Sequence, residues 1–262
     1  MARDMRSWIN QLEEAGLLAR IKKPVDPRTQ MGALLWQARD RALLFENLSG
    51  FPNWRCLGQA PGDVSLAPVA FGTHRDEMVP EFVRRTERLG TTRLMNSGPV
   101  KERIITGDKV DVTKMPIHQA GIRDGGPYIG SGLMITKNPE TGRRNLSFHR
   151  LQMKDSKKFG ILLYPRHAWA NYQMYEAQDK PMPVAIMIGH HPMYYFAAAT
   201  TTQYGVDELE IASALLREEV DLVKCETVDL ESPPTRKSFW KVKSRRRRGS
   251  RKVHSVSFRI II

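Results

Sequence analysis

The sequence is poor in cysteine, with only Cys56 and Cys225 among 262 residues. Two cysteines that form no CxxC pair are too few for a disulfide framework, so we expect a reducing compartment, the cytoplasm. No apolar run approaches the length of about 20 residues that crosses a bilayer. The N-terminal segment MARDMRSWINQLEEAG carries acids and lacks the apolar stretch of a signal peptide. These absences disfavour a secreted, disulfide-linked domain and a membrane-spanning protein.

Acidic residues are missing from one long segment, residues 232–262. Eleven of the 41 lysines and arginines fall there, which leaves 30 basic side chains against all 28 acidic ones in residues 1–231. The net charge of +13 therefore comes mostly from a basic tail on a nearly neutral globule. Hydrophobic residues (41%) and charged residues (26%) occur at ordinary globular levels. The whole-chain charge is accordingly no evidence that the globule binds nucleic acid.

Hydrophobic periodicity predicts helices and strands in different parts of the chain. Met5–Ile21 has apolar residues at helical spacing, with Gly16 as a stop or kink, and Ala67–Thr73 suggests a strand. From Tyr128 the pattern is mostly that of strands, with KNPETG as a hairpin turn. Further helices are predicted at His167–Ala177 and at 206–219. Antiparallel strands around a helix favour a small barrel-like domain after a mixed α/β first third.

Three segments resemble the UbiD family of decarboxylases. They are RSWINQLEEAGLLARIKKPVDP with ALLFEN near the N-terminus, YIGSGLMITKNPETGRRNLSFHRLQ in the middle, and GVDELEIASALLREEVDLVKCETVDLE further on. Each motif alone is weak, but their order and spacing make the resemblance specific. It covers about residues 4–231.

The resemblance implies a fold. An α/β (α+β) N-terminal domain is expected at residues 1–115, followed by a split, flavin-reductase-like β-barrel for the cofactor at residues 116–231. A C-terminal domain used in oligomerisation completes the family fold. The chain is too short for all three parts, so we expect an incomplete barrel and no C-terminal domain. Residues 232–262 lack acids and a periodic apolar face, which predicts a disordered tail.

The resemblance also implies a function. UbiD-like enzymes carry out reversible, non-oxidative decarboxylation of aromatic, heteroaromatic or α,β-unsaturated carboxylic acids. Their cofactor is prenylated FMN, supplied by a flavin prenyltransferase, and its phosphate is held with a divalent metal, usually manganese, and a potassium ion. Oxygen and nitrogen ligands suit such ions. Full-length members oligomerise.

Individual residues receive roles from the same resemblance. Asn145, His167 and Glu208 match the family's metal ligands, with Glu210 left open as the alternative to Glu208. Arg150 matches the arginine that binds the substrate carboxylate and the cofactor, so it is the candidate catalytic residue; its two N–H groups suit two carboxylate oxygens. Asn145, Arg150 and His167 are also cofactor-binding candidates, and the others are Ser147, Phe148, His149 and Arg166.

Each of these residues also has an ordinary structural explanation. Asn145 follows a turn, and Arg150 suits a solvated edge strand. His167 and Glu208 each lie at the start of a predicted helix, where capping or the helix dipole explains them. The pair His190–His191 is interpreted as a strand end before a proline rather than as a metal site.

The basic tail does not continue the family pattern, which runs through segments like VPADAEIVLEG and EGPFGE. The glutamates of those segments are the family's acid/base pair. Joining the third base of each codon to the first two of the next, with chosen synonymous codons, converts residues 231–244 into VPADAEIVLEGEI and residues 251–262 into EGPFGEFPDYY. We therefore expect a frameshift near Glu231, with the missing glutamates hidden across Arg251/Lys252 and Val256/Ser257.

Three functions compete at this point. The first is an enzyme by descent that is inactive as written, because its catalytic glutamates are missing. The second is a nucleic-acid-binding protein that uses the RRRRGSRK run of the tail. The third is a non-catalytic flavin- or metal-binding module. The first accounts for most of the chain.

Overall fold

The computed structural model describes residues 4–59 and 65–234, together with the strands at 239–244 and 254–261. The helices are α1 (Met5–Glu14), α2 (Met31–Gln37), α3 (Ala67–Phe71), α4 (Met78–Thr86), α5 (His167–Ala177), α6 (Pro192–Ala199) and α7 (Glu208–Leu216). The strands are β1 (Leu18–Ile21), β2 (Ala42–Phe45), β3 (Cys56–Gly58), β4 (Thr92–Met95), β5 (Tyr128–Lys137), β6 (Arg144–Asp155), β7 (Lys158–Ile161), β8 (Pro183–Met187), β9 (Val220–Lys224), β10 (Glu231–Ser232), β11 (Phe239–Ser244) and β12 (His254–Ile261). Short 3-10 turns lie at Arg75–Glu77, Pro99–Lys101, Gly107–Lys109 and Val112–Lys114.

The first helix is shorter than its apolar pattern predicts. Asp4 caps α1 by accepting the backbone N–H groups of Arg6 and Ser7, and Trp8 and Leu12 are fully buried on its inner face. The helix ends just before Gly16, whose φ of +68° lies in the left-handed region. The residues after Gly16 form β1 rather than more helix, so Gly16 is a stop and the helix prediction up to residue 21 is wrong.

A small sheet in the order β1–β2–β3 follows α1, with β1 and β2 parallel. Strand β2 is buried along its whole length, as its continuous apolar sequence predicts. The predicted strand at Ala67–Thr73 is wrong: its first five residues form α3, which ends at Gly72 in the left-handed conformation. Pro68 suits the first turn of a helix, where its missing N–H costs nothing.

A second sheet joins distant parts of the chain. Strand β9 lies in the middle, parallel to β4 on one side and antiparallel to β10 on the other. Strand β4 belongs to the segment expected in the N-terminal domain, yet it pairs with β9, which begins at Val220. The sheet therefore crosses the boundary expected at residue 115.

Six strands form a closed antiparallel barrel in the order β11–β12–β7–β6–β5–β8. The expectation of an incomplete barrel is wrong, because β11 pairs with both β8 and β12, and β12 pairs with β7. The expected disorder of residues 232–262 is also wrong for β10, β11 and β12. The high positive charge concealed the period-two alternation of HSVSFRI, which is typical of a strand. Residues 235–238, 245–253 and 262 of the tail lie outside the described residues.

Two apolar clusters flank the barrel strands. Alternate residues of β5 and β8, such as Leu133 and Met187, pack with α1, α3, α6 and α7. Their neighbours, such as Met134 and Ile186, pack with Leu151 of β6, with β7 and with α5. The sheet thus separates two cores, as strand alternation requires when both faces are covered. Among the described residues, no helix has the length and apolar character to span a membrane.

Candidate metal and cofactor site

The centre of the site is a buried contact between β6 and α7. The Asn145 side-chain amide donates to Oε1 of Glu208 at 2.9 Å, and the backbone N–H of Leu146 donates to Oε2 at 2.7 Å. Asn145 and Glu208 are 6% and 3% exposed. Glu208 is the first residue of α7, whose N-cap Asp207 accepts the N–H of Leu209 at 3.0 Å. The carboxylate is therefore fixed from both of its oxygens.

A third side chain, His167, approaches the same carboxylate from α5. It is the first residue of that helix, and its Nδ1 lies 3.6 Å from Oε1 of Glu208. Its side chain is 25% exposed, so one side of the group is open. The Asn145 carbonyl oxygen, Oδ1, is buried without a hydrogen-bond partner in the structure. An amide oxygen, an imidazole nitrogen and a carboxylate thus converge from three different elements.

The pKa shifts of Glu208 and His167 are compatible with a role as cation ligands. Burial raises the pKa of Glu208 to about 7, although the hydrogen bond from Leu146 partly offsets this. Burial and the neighbouring charge of Arg166 lower the pKa of His167. The imidazole is therefore neutral at neutral pH, and its contact with Glu208 is a polar approach rather than an ion pair. A bound cation would favour the ionised carboxylate and would use the free imidazole nitrogen.

The structure separates the two glutamate candidates. Glu210, in the same helix, is paired with Arg143 at 3.2 Å near the surface. Glu208 alone of the two contacts Asn145. Within the described residues there is no group of three His, Cys, Asp or Glu side chains that could hold a metal. The present set has only two such residues, because its third member is an amide.

Four of the predicted residues lie further along β6 and alternate between its faces. Ser147 and His149 lie on the face of Asn145, where Ser147 Oγ is 3.0 Å from His149 Nε2. Burial lowers the pKa of His149 to about 4, so this imidazole is neutral. Phe148 lies on the opposite face with its ring 5.8 Å from that of Tyr195, and is 44% exposed. Arg150 lies on that same face, exposed to solvent.

The remaining predicted residues lie apart from the centre or at its rim. Arg166 is exposed and supplies the N-cap of α5, directly before His167. His190 is fully buried at the end of the β8 segment with its ring 4.2 Å from that of Tyr195. His191 caps α6 by accepting the N–H of Met193 at 3.3 Å. The pair therefore lies between the end of β8 at Met187 and the start of α6 at Pro192.

A charged cluster beside the site escaped the sequence analysis. Arg144, next to Asn145, contacts Asp207, next to Glu208, at 2.7 Å. Arg144 also lies 3.2 Å from Glu231, which pairs with Lys137 at 3.0 Å. Burial raises the pKa of Asp207, whereas for Glu231 the contacts with Lys137 and Arg144 outweigh burial and lower its pKa. The cluster joins β6 to the start of α7. The Arg144–Asp207 ion pair thus connects the same two elements as the adjacent Asn145–Glu208 hydrogen bond.

A second missed group lies behind His167. The Tyr204 hydroxyl donates to Oδ1 of Asn171 at 2.6 Å and accepts from Nδ2 of Asn138 at 2.8 Å. Its ring meets the His167 ring edge-on, with centroids 5.4 Å apart. Asn171 in turn donates to Oγ1 of Thr136 at 3.0 Å. Neither asparagine carries a sequence signal, because their partners are 33 and 66 residues away.

A cleft of about 840 Å³ lies elsewhere in the described part of the chain. Its walls are the loop around Phe51–Trp54 and the segment from Pro99 to Met115, with Arg6 at the edge. It shares no residue with the group around Glu208. The site described above is therefore defined by converging polar groups and not by cavity size.

Comparisons with known proteins agree with this arrangement. The 3-octaprenyl-4-hydroxybenzoate carboxy-lyase N-terminal domain matches residues 9–86, and the Rift-related domain of the same carboxy-lyase family matches residues 92–235. An uncharacterized protein of Aquifex aeolicus is 31% identical over a 258-residue alignment that covers 88% of this chain and 53% of that protein. The anhydromevalonate phosphate decarboxylase of Methanothermobacter thermautotrophicus is 36% identical over 126 residues, 48% of this chain and 30% of that protein.

A solved structure matches the whole described fold. It is an evolved dimeric form of the UbiD-class enzyme HmfF from Pelotomaculum thermopropionicum in complex with prFMN. It is 34% identical, with a TM-score of 0.91, and the match covers 99% of this chain and 65% of that chain. Both the Aquifex aeolicus protein and the HmfF chain are longer than this chain, and the matches cover 53% and 65% of their respective lengths. With family domains matched over residues 9–86 and 92–235, the chain belongs to the UbiD (3-octaprenyl-4-hydroxybenzoate carboxy-lyase) family.

Proposed function

We propose that this chain carries the cofactor-binding part of a non-oxidative decarboxylase that uses prenylated FMN. The proposed substrates are aromatic, heteroaromatic or α,β-unsaturated carboxylic acids. Family membership supports the reaction class, and the bound prFMN of the HmfF structure supports the cofactor. The observation that carries the proposal is the convergence of Asn145, His167 and Glu208, with one buried amide oxygen left without a partner.

The three side chains fit a divalent metal. Asn145 Oδ1, a His167 nitrogen and Glu208 form an oxygen–nitrogen donor set, which suits a hard or borderline ion such as Mn²⁺. Asn145 and Glu208 are already oriented by hydrogen bonds, so little reorganisation is needed. A potassium ion is proposed as a second cation beside the flavin phosphate. Together the cations would neutralise the phosphate at the buried end of the site.

The remaining residues would hold the flavin and the acid. Ser147 offers a hydroxyl on the face of Asn145, and Arg166 lies beside His167 at the rim. Arg150 offers an exposed guanidinium that can bind a substrate carboxylate through two N–H groups. When bound, prenylated FMN would accept the electron pair that stays on the substrate carbon when CO₂ is lost. The proposed supplier of this cofactor is a cytoplasmic flavin prenyltransferase.

The metal site has a matched pair of test variants. Glu208→Gln removes the proposed carboxylate ligand. Glu210→Gln makes the same chemical change in the same helix, but at a carboxylate that pairs with Arg143 instead of contacting Asn145. With FMN present, we expect Glu208→Gln to weaken Mn²⁺ binding at least about tenfold and Glu210→Gln to leave it nearly unchanged. Mn²⁺ binding is measured by the loss of the free-ion EPR signal. Equal binding by both variants would sink the proposed ligand set.

The sequence as written is proposed to be inactive because the acid/base glutamates are encoded in a neighbouring frame. The family match ends at residue 235, close to the proposed frameshift at about Glu231. The chain and a frame-corrected gene product are each co-expressed with a flavin prenyltransferase and assayed for CO₂ release from a panel of aromatic acids. We expect release only from the corrected protein. Release by the chain as written would contradict this part of the proposal.

The alternative of a nucleic-acid-binding tail receives no support from the comparisons, which name decarboxylases. Part of the tail also has a different role in the fold, because β11 and β12 close the barrel. Assembly into oligomers through a further domain remains a proposal taken from the family.

A further inference from the structure

We infer that Tyr204 is a positioning residue for the proposed metal ligand His167, an inference that rests on the proposed function above. Tyr204 lies in the loop between α6 and α7, four residues before Glu208. Its ring meets the His167 ring edge-on at 5.4 Å. The side chain that packs against one proposed ligand therefore lies in the loop that leads directly to another, Glu208 at the start of α7.

The Tyr204 ring is itself held in place by its hydroxyl. Asn138 donates to the hydroxyl at 2.8 Å, and the hydroxyl donates to Asn171 at 2.6 Å. Asn138 belongs to the β5–β6 hairpin turn, where its side-chain oxygen Oδ1 accepts the backbone N–H groups of Glu140 and Thr141. Asn171 lies in α5, one turn after His167. The hydroxyl thus joins the hairpin turn to the helix that carries the ligand.

The hydrogen bonds continue to Thr136, the strand partner of the third proposed ligand. Asn171 donates to Thr136 Oγ1 at 3.0 Å, and Thr136 lies directly opposite Asn145 in the β5–β6 pair. All donors in the series point the same way, from Asn138 through Tyr204 and Asn171 to Thr136, so each bond polarises the next. Asn138 and Asn171 are 5% and 1% exposed, so a lost partner there is costly. The series therefore runs from the hairpin turn through Tyr204 and α5 to the strand partner of Asn145, and it links the surroundings of His167 and Asn145.

Three variants separate positioning from general stability. Tyr204→Leu removes the ring and the hydroxyl, and Tyr204→Phe keeps the ring without its anchor. Tyr172→Phe is the matched control. It also removes a tyrosine hydroxyl, but one that lies within α5 and donates to Glu176 at 3.2 Å. Each full-length protein is titrated with MnCl₂ in the presence of FMN. EPR gives the Mn²⁺ affinity, pulsed EPR gives the ¹⁴N coupling of the bound imidazole, and thermal melts give Tm.

We expect about a tenfold loss of Mn²⁺ affinity in Tyr204→Phe and up to about a hundredfold loss in Tyr204→Leu, as for other outer contacts of metal-binding histidines. The ¹⁴N coupling should change in both, and Tyr172→Phe should match wild type in both readouts. Wild-type affinity and coupling in Tyr204→Leu would overturn the inference. An equal loss in Tyr172→Phe would also overturn it, because the effect would then be loosening of α5. Failure of the wild-type chain to bind Mn²⁺ would instead overturn the proposed metal site, and the inference with it.

Discussion

Replacing Glu208 with Gln should make the metal-free protein more stable at alkaline pH while removing a proposed ligand. Burial raises the pKa of this carboxyl from 4.5 to about 7. Folding therefore favours the protonated form. The stability that this gives is fully present below about pH 4.5 and is lost as the pH rises through about 7. The difference of about 2.5 between the two pKa values corresponds to about 3 kcal/mol.

Glutamine is neutral at every pH and so avoids that loss. It has one acceptor oxygen where the carboxylate has two, which leaves either the Asn145 amide or the Leu146 N–H without a partner. This costs about 1 kcal/mol whatever the pH. We therefore expect Glu208→Gln to be less stable than wild type by about 1 kcal/mol near pH 4.5 and more stable by about 2 kcal/mol near pH 8.

Urea unfolding in EDTA at about pH 4.5, 6 and 8 measures the free energy of unfolding of both proteins. Glu210→Gln is the control, because its carboxyl is paired with Arg143 near the surface and should give a difference below about 1 kcal/mol. Mn²⁺ at a hundred times the wild-type dissociation constant should then stabilise wild type by about 2.7 kcal/mol and Glu208→Gln by at most about 1.4 kcal/mol, given its at least tenfold weaker binding. A wild-type-minus-variant difference that stays constant with pH would refute the reasoning.

Three further predictions concern the surroundings of the site and the tail. Arg144→Met should lower the free energy of unfolding by roughly 3 kcal/mol, because Asp207 and Glu231 lose a buried partner, whereas Arg143→Met should cost less than about 1 kcal/mol. Urea midpoints compare the two, and equal losses would contradict the role of the buried pair. DNA sequencing across codon 231 should find VPADAEIVLEG and EGPFGE in a neighbouring frame; their absence from every frame would end the frameshift hypothesis. Salt-dependent binding of duplex DNA, measured by fluorescence anisotropy, should be weak and sequence-independent; tight, specific binding would favour the alternative function.

The parts of the fold that the sequence predicted well are those with strong local signals. Helix α5 begins and ends at the predicted residues, and the KNPETG turn joins β5 to β6 as expected. The predictions failed where a local pattern competed with a stop signal or with charge. Gly16 ended an otherwise helical pattern, and the arginine-rich tail concealed the alternation of β12.

The candidate site was predictable only through the family resemblance. Asn145, His167 and Glu208 lie far apart in sequence, and no local spacing connects them. The sequence does not distinguish Glu208 from Glu210, because both lie in the first turn of α7, and the contact with Asn145 supports Glu208 as the proposed ligand. Tyr204 was missed for the same reason: its proposed role depends on three contacts, with Asn138 of the β5–β6 turn and with Asn171 and His167 of α5, and none of them is local in sequence.

The closed barrel has a consequence for how the chain folds. Its closure depends on the last strands to be synthesised, since Val242 pairs with Val184 and Val256 with Phe159. Until those strands arrive, β7 and β8 present unpaired backbone groups, which are templates for association with other chains. Pairing between such distant residues is also slow to form. A nascent chain that stalls before residue 239 would therefore be prone to aggregate, and its yield should depend on chaperones more than that of the released protein.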